Sequence, residues 1–379
     1  MKAEEISTFL QARIEANDFP SAVYLVAEKG EIVFTDALGF AVVEPEKIKA
    51  TTETIYDLAS LTKPLVTGLL CAKLLEKNNI HLQDKLTKFF PEFDSTEKRE
   101  ITIKNLLTHT SGFPAWRPFY LNAESKVQRA ESVFSQIVSQ SLQTRPNEKV
   151  RYSDFNFLTL SFLLEKIYGK TLDEIAHEEI FEPLNLTKTF FNPPKNLKEK
   201  IAASEFGNFY EKRVCEEMFP KINIPQSTFR DYQIWGEVHD GNAWFLGGVA
   251  GHAGLFSNVE ETFKIAQQFL PNTTELLNPF ICFSFARNYT WDLNEVRSIS
   301  FELAATKNST ASNALLENSF GHLGFTGTSI WIQPIDKYTS ERIFILLTNR
   351  THARELPFAN INSVRRKFHQ LATKVLNKK

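Results

Sequence analysis

Residues 60–78 read SLTKPLVTGLLCAKLLEKN, and their pattern decides the fold. The stretch is apolar almost all round, which predicts a helix buried in the middle of the protein. Pro64 sits near its start, where a missing N–H does no harm. Upstream, Ile6, Phe9, Leu10 and Ile14 recur at helical spacing, so residues 3–16 read as a surface helix ended by Pro20. The β-rich runs 22–27 and 31–36 flank Glu28, Lys29 and Gly30 as a hairpin, and 40–55 form a polar connection. Downstream, 102–108, 125–142, 155–168 and 171–181 read as helices. Pro183, Pro193, Pro194 and the charged run Lys195–Lys200 mark surface loops, and 200–240 show little periodicity. After the glycine-rich GGVAGHAGLFSN at 247–258 come a helix at 259–270, strands at 328–333 and 342–348, and a final helix at 360–376. That helix carries Ile361, Val364, Phe368, Leu371 and Val375 along one face.

Strands near both ends of the chain can pair into one antiparallel sheet covered by the terminal helices, with the middle as a helical lobe. The expected fold class is α/β (α+β), a single catalytic domain over 1–379. Its expected lobes are 1–58 with 241–379 (sheet and covering helices) and 59–240 (mainly helical). Ser60 then lies near the lobe boundary, where small-molecule clefts usually form.

The composition excludes several classes of function. The formal net charge of the 379 residues is −2, with both signs spread along the chain, so nothing draws the protein to nucleic acid or an anionic membrane. Cys71, Cys215 and Cys282 are far apart with no CxxC spacing, which argues for reduced, buried thiols over a disulfide framework or a zinc site. No apolar run approaches the length of a membrane span. The opening MKAEEISTFLQARIEANDF lacks the unbroken apolar stretch of a signal peptide. The expected location is cytoplasmic, or periplasmic or extracellular if a leader has been removed.

Chemistry enters with Ser60 and Lys63, three apart at a helix start and hence on one face. A serine hydroxyl needs a neighbour to take its proton, and a desolvated lysine can do so. Tyr152-Ser153-Asp154 precedes the helical run 155–168. A phenolate there would be a strong base if nearby cations lowered its pKa, with Asp154 as a helix cap in the blander reading. Phe320-Gly321-His322-Leu323-Gly324-Phe325-Thr326-Gly327-Thr328 leads into a strand. Its glycines admit a substrate close to the backbone and leave N–H groups free to stabilise an oxyanion.

The ordered set SLTK, YSD and HLG resembles the SxxK, YxN and KTG elements of the penicillin-binding-protein and class C β-lactamase family, which includes DD-peptidases, D-aminopeptidases and carboxylesterases. LLTHTSGFP at 106–114, GEVHDGNA at 236–243, VAGHAGLFS at 249–257 and LLTNRTH at 346–352 extend the resemblance over roughly residues 20–370. It implies that Ser60 forms an acyl-enzyme and that Lys63 and Tyr152 share the base work. Asp154 would orient Lys63 or the substrate amide. His322 stands where many relatives have lysine. The N–H groups of Ser60 and Phe325 would form the oxyanion hole, with Gly324 and Asn242 touching substrate. The chemistry needs no metal or organic cofactor. Two departures tilt the specificity: Asp154 replaces Asn and should raise the Lys63 pKa, and Leu323 replaces a Thr that often helps to bind a substrate carboxylate. The expectation is therefore an esterase or amidase acting on a small ester, amide or peptide. The alternatives are a D-amino-acid-specific peptidase or weak β-lactamase, and a catalytically silent scaffold of the same fold.

Other features read more blandly. Glu237, His239, Asp240 and His252 match no zinc signature and look structural. His109 reads as a structural hydrogen-bonding residue, and Ser111-Gly112 as a turn. Phe280, Phe283, Phe285 and the run Arg287–Trp291 read as core packing or a substrate wall. The loops at 113–130 and 205–235 are where specificity would lie.

Overall fold

The computed structural model describes residues 3–95, 97–121, 128–221 and 223–378. Strands β1 (Ser21–Glu28) and β2 (Glu31–Val42) form the expected hairpin. Its turn residues Lys29 and Gly30 have φ of 54° and 77°, the left-handed pair that matches strand twist in a two-residue connection. The polar connection that follows contains a short strand, β3 (Ile48–Lys49). β4 (Tyr56–Asp57) and β5 (Phe256–Ser257) form a separate two-stranded ladder. β6 (Glu302–Leu303), β7 (Phe320–Leu323), β8 (Ser329–Gln333) and β9 (Arg342–Thr348) complete the main sheet, whose order is β3-β2-β1-β9-β8-β7-β6. β1 pairs antiparallel with β9, so the two ends of the chain meet at the sheet centre.

Alternation along β1 divides two cores. Tyr24 and Val26 join Trp331, Phe344 and Phe368 under the terminal helices Glu4–Glu15 and Asn362–Leu376. Val23, Leu25 and Ala27 face the other way, against the helical lobe, with Ile330, Ile345 and Leu347. The α/β architecture expected of the chain is therefore present, an antiparallel sheet flanked by helices beside a helical lobe.

The stretch 60–78 is buried but is not one regular helix. Ala59–Leu61 is a 3-10 turn, Lys63–Gly68 has π-helical bonding, and Leu69–Glu76 is α-helical. A π segment is a feature enriched at functional sites, where it re-aims side chains. Ala59, immediately before Ser60, has φ of 48°, a conformation disfavoured for a residue with a Cβ. Its N–H is held by Asp57 Oδ1 at 2.8 Å. Helices Ile103–Leu107, Arg129–Ser139 and Leu172–Ala176 fall within predicted runs, the last continuing as a π turn over His177–Phe181, and Asp154–Tyr168 begins one residue before the run predicted at 155–168. Residues 125–127 of the run predicted at 125–142 lie outside the described residues, as does 122–127 of the loop at 113–130. The region 200–240 holds a helix, Phe209–Met218, that the sequence did not disclose. Cys71, Cys215 and Cys282 are free and buried. Among the described residues no helix is long and apolar enough to cross a membrane.

Candidate active site

The turn that carries Ser60 opens onto a cleft of about 1110 Å³, lined among others by Tyr152, Asp154, His322, Gly324 and Phe325. Lys63 Nζ lies 3.0 Å from Ser60 Oγ, 3.1 Å from the His252 carbonyl and 2.8 Å from Asp154 Oδ1. The Lys63 side chain is wholly buried while Asp154 keeps 14% exposure. Burial pulls the Lys63 pKa down, but Asp154 and Tyr152 outweigh it and raise the pKa above the ordinary lysine value. Lys63 therefore rests as an ammonium, as the Asp-for-Asn departure implies.

Tyr152 projects into this group, its ring centroid 4.9 Å from Lys63 Nζ. Its buried hydroxyl makes no hydrogen bond of ordinary geometry, although Lys63 and Ser60 are close enough to favour its ionised form. Burial nevertheless pushes its pKa up, and Asp154 adds to that. The resting side chain is a phenol, so a phenolate base poised before substrate arrives is not what the site contains. Asp154 is the first helical residue and Ser153 the cap position. Asp154 is thus an ion-pair partner, and its backbone N–H goes to Ala115 O at 2.9 Å.

His322, on β7, donates Nδ1–H to the Leu323 carbonyl at 3.0 Å. That leaves Nε2 as a lone pair, buried and without a protein partner. Burial, followed by the charges of Lys63 and Arg297, holds its pKa well below the ordinary histidine value. His322 is a neutral acceptor at the position where the motif resemblance leads one to expect a lysine.

The segment after β7 is stitched to the nucleophile turn. Thr326 Oγ1 donates to Asp57 O at 2.8 Å and Thr328 Oγ1 to Leu58 O at 3.0 Å. A Cβ on Gly324 would sit 2.7 Å from Leu58 O and 2.0 Å from Thr328 Oγ1. The glycine thus serves this close approach of two backbones, while also lining the cleft. Arg350 Nε holds Phe325 O at 2.7 Å, and Arg365 Nη2 holds Gly324 O at 2.9 Å.

Asn242 is not in the cleft. It is fully buried, accepts the Phe119 N–H at 2.9 Å and donates to Arg117 O at 2.8 Å, so both ends of its amide are spent on the 117–119 backbone. Glu237, His239, Asp240 and His252 do not converge on one point. His239 pairs with Glu205 at 2.8 Å, His252 with Asp240 at 3.0 Å, and Glu237 lies 3.7 Å from Arg230. Asp154, Asp240 and His252 can bring three ligand atoms within 4.8 Å of one another, but the Lys63 ammonium already answers that charge. Ser111 is buried and its hydroxyl goes to Asn156 Oδ1 at 2.5 Å. Of the aromatic stretch, Phe285 packs in the core against Phe269 and Phe301, whereas Phe280, Phe283 and Trp291 are exposed and none lines the cleft.

Several cleft residues escaped sequence reasoning. Arg297 is 4% exposed and lines the cleft with its Cζ 5.9 Å from the Tyr152 ring. Glu302, beside it, is pushed up to about 7 by burial, against the pull of Arg297. Glu211, from the helix in the unreadable region, is likewise pushed up to about 7, by burial and then by Asp240. No motif spacing marks any of the three.

The β-lactamase family model matches residues 6–364. The chain belongs to this family. It is 33% identical over 362 residues to a putative D-alanyl-D-alanine carboxypeptidase of Escherichia coli K12, covering 88% of this chain and 79% of that protein. A protein of the same description from Salmonella typhimurium is 30% identical over 384 residues, covering 95% and 84%. Among solved structures, the octameric penicillin-binding protein homologue from Pyrococcus abyssi has a TM-score of 0.71 at 18% identity, covering 100% of this chain and 78% of that one. The class C β-lactamase from Rhodobacter sphaeroides has a TM-score of 0.71 at 15% identity, covering 99% and 100%. The protein is thus a serine hydrolase of the β-lactamase superfamily, with its acyl-enzyme chemistry.

Proposed function

We propose that this enzyme is a carboxypeptidase-type acyl hydrolase that removes a C-terminal D-amino acid from a peptide. The observation that carries the reading is Arg297. Its guanidinium is buried at the cleft wall beside Tyr152, its Nε has no protein partner, and its nearest carboxylate oxygen is Glu295 Oε2 at 3.5 Å. Glu302, pushed up to about 7, is largely protonated on the acid side of neutrality and then adds no negative charge to that of Glu295, while Arg297 Nε stays free. A guanidinium so placed suits a carboxylate, which it can meet with two parallel hydrogen bonds. It supplies the recognition that the loss of threonine at Leu323 removes, and so weighs against the esterase expectation. The relatives described as D-alanyl-D-alanine carboxypeptidases support the same substrate class.

The charges around Ser60 define a proton route for this reaction. Ser60 Oγ attacks the carbonyl carbon and yields its proton to Lys63 Nζ, which passes one to Asp154 across 2.8 Å. The oxyanion is met by the N–H groups of Ser60 and Phe325. The C–N bond breaks, and the leaving amine takes its proton from the Lys63–Tyr152 pair. Water then hydrolyses the ester by the reverse path.

The test compares a peptide ending in D-Ala-D-Ala with its C-terminal amide, in wild type, Ser60→Ala and Arg297→Gln. The expected result is Ser60-dependent release of D-alanine, with a preference for the free acid of at least about tenfold that Arg297→Gln abolishes mainly through KM. Equal turnover of acid and amide, alongside fast short-chain ester hydrolysis, would return the reading to an esterase.

A further inference from the structure

We infer that His109 is a positioning residue for Tyr152, an inference that rests on the proposed role of Tyr152 in proton transfer. The Tyr152 hydroxyl has no ordinary hydrogen bond to fix it, so its place beside Lys63 is set from behind. The N–H groups of the residues on either side of it both end on the same histidine. The Arg151 N–H donates to the His109 carbonyl at 2.8 Å, and the Ser153 N–H donates to His109 Nδ1 at 3.1 Å. The two rings lie against each other, centroids 4.6 Å apart at 37°. One residue thus holds the backbone on either side of Tyr152 and the face of its ring.

His109 is built for this task. It is fully buried, and burial together with the charges of Arg297 and Lys63 keeps it neutral. Acceptance of the Ser153 N–H places its proton on Nε2. Asn156 Nδ2 meets the same Nδ1 at 3.0 Å while Asn156 Oδ1 takes the Ser111 hydroxyl, so the LLTHTSG stretch and the helix after Tyr152 fix the imidazole together. His109 has φ of 57°, in the left-handed region that few non-glycine residues adopt, asparagine, aspartate and histidine most often among them. In that conformation its carbonyl meets the Arg151 N–H and its side chain the Ser153 N–H, on either side of Tyr152. Buried residues needed only for packing seldom carry such strain, which concentrates at functional sites.

The test uses His109→Asn, which keeps an acceptor at the Nδ1 place and tolerates the left-handed backbone, and His109→Phe, which keeps a ring and loses the acceptor. Each is made in wild-type and Tyr152→Phe backgrounds and assayed for Ser60-dependent hydrolysis, with melting temperature as the check on folding; His109→Ala replaces His109→Phe if the latter does not fold. His109→Asn should retain kcat within about threefold, and His109→Phe should lose at least about tenfold in kcat with KM little changed. In the Tyr152→Phe background the same change should cost less than about twofold, because residues that act as a unit are not additive. A full loss in that background, or none in the wild type, overturns the inference alone. Activity that survives Ser60→Ala overturns the proposed function and this inference with it.

Discussion

Lys63 Nζ lies 2.8 Å from Asp154 Oδ1, a direct ion pair between a wholly buried ammonium and a slightly exposed carboxylate at the start of the next motif's helix. The pair answers a question that burial poses. A lone ammonium in that position would shed its proton, and the carboxylate is what keeps it charged. In the proposed mechanism the same contact gives the proton of Ser60 somewhere to go.

Replacing Asp154 by Asn separates these roles. Burial then dominates and the Lys63 pKa falls. The relay through the carboxylate is lost, so at pH 6–7 acylation should slow by about a hundredfold. As pH rises through the lowered Lys63 pKa, the neutral amine becomes the base and activity should recover. The wild type, whose Lys63 stays charged throughout, should lack this limb. The pH profile of kcat/KM for both proteins checks the sign, and an unchanged profile would remove Asp154 from the proton route. Stability should fall by up to about 3 kcal/mol, less where Lys63 can neutralise itself.

Gly324→Ala tests the seam between the nucleophile turn and the third motif. The added methyl would meet Leu58 O at 2.7 Å and Thr328 at 2.0 Å, so the segment must move away from Ser60. Phe325, the second oxyanion donor of the proposed mechanism, moves with it. Loss of one such donor costs about a hundredfold or more in kcat, and KM should change much less. The measurement is acylation rate against KM on folded variant; a fall in KM-limited binding alone would place Gly324 with the substrate instead.

The sequence disclosed the elements whose pattern is local. Ser60 and Lys63 sit three apart, and the tyrosine motif leads straight into an apolar helix, so each could be found without knowing the fold. Their convergence needed only the resemblance to supply the third dimension. Arg297 and Glu211 could not be found this way. Arg297 stands in an irregular stretch between Trp291 and β6, and Glu211 on a helix whose buried residues among the described ones are only Glu211 itself and Cys215. A helix that buries so little apolar surface has no periodic signal to read. Asn242 misled for the complementary reason. It neighbours Asp240, which does line the cleft, but its own amide turns inward to bridge Arg117 and Phe119. Periodicity also missed the π segment at Lys63–Gly68, because a helix that is apolar all round looks the same at either pitch.

Asn242→Ala should therefore act on stability and not on recognition. It leaves the buried Phe119 N–H and the half-buried Arg117 carbonyl without their partner, and an unsatisfied buried group costs about 1–3 kcal/mol. The melting temperature should drop by several degrees, about what such an energy implies for a chain of this size. Labelling of Ser60 in the fraction that remains folded should be unchanged, and a KM rise in stable protein would put Asn242 back at the substrate.

Glu211 gives the last expectation, a stability that falls as pH rises. Its pKa is pushed from 4.5 to about 7 by burial and by Asp240. The folded state therefore holds a proton that the unfolded chain gives up between pH 4.5 and 7. Below 4.5 both states are protonated and no difference arises. Between the two values the folded protein binds more protons, so unfolding free energy declines with pH, by up to about 3 kcal/mol across the window. Glu211→Gln keeps an oxygen for the Gly241 N–H, which Glu211 Oε1 accepts at 3.0 Å, and removes the titration. Chemical denaturation at pH 5 and pH 8 should find the variant close to wild type at the lower pH and more stable at the higher. A variant that is less stable by the same amount at both would mean that the carboxylate is charged and satisfied in the folded state.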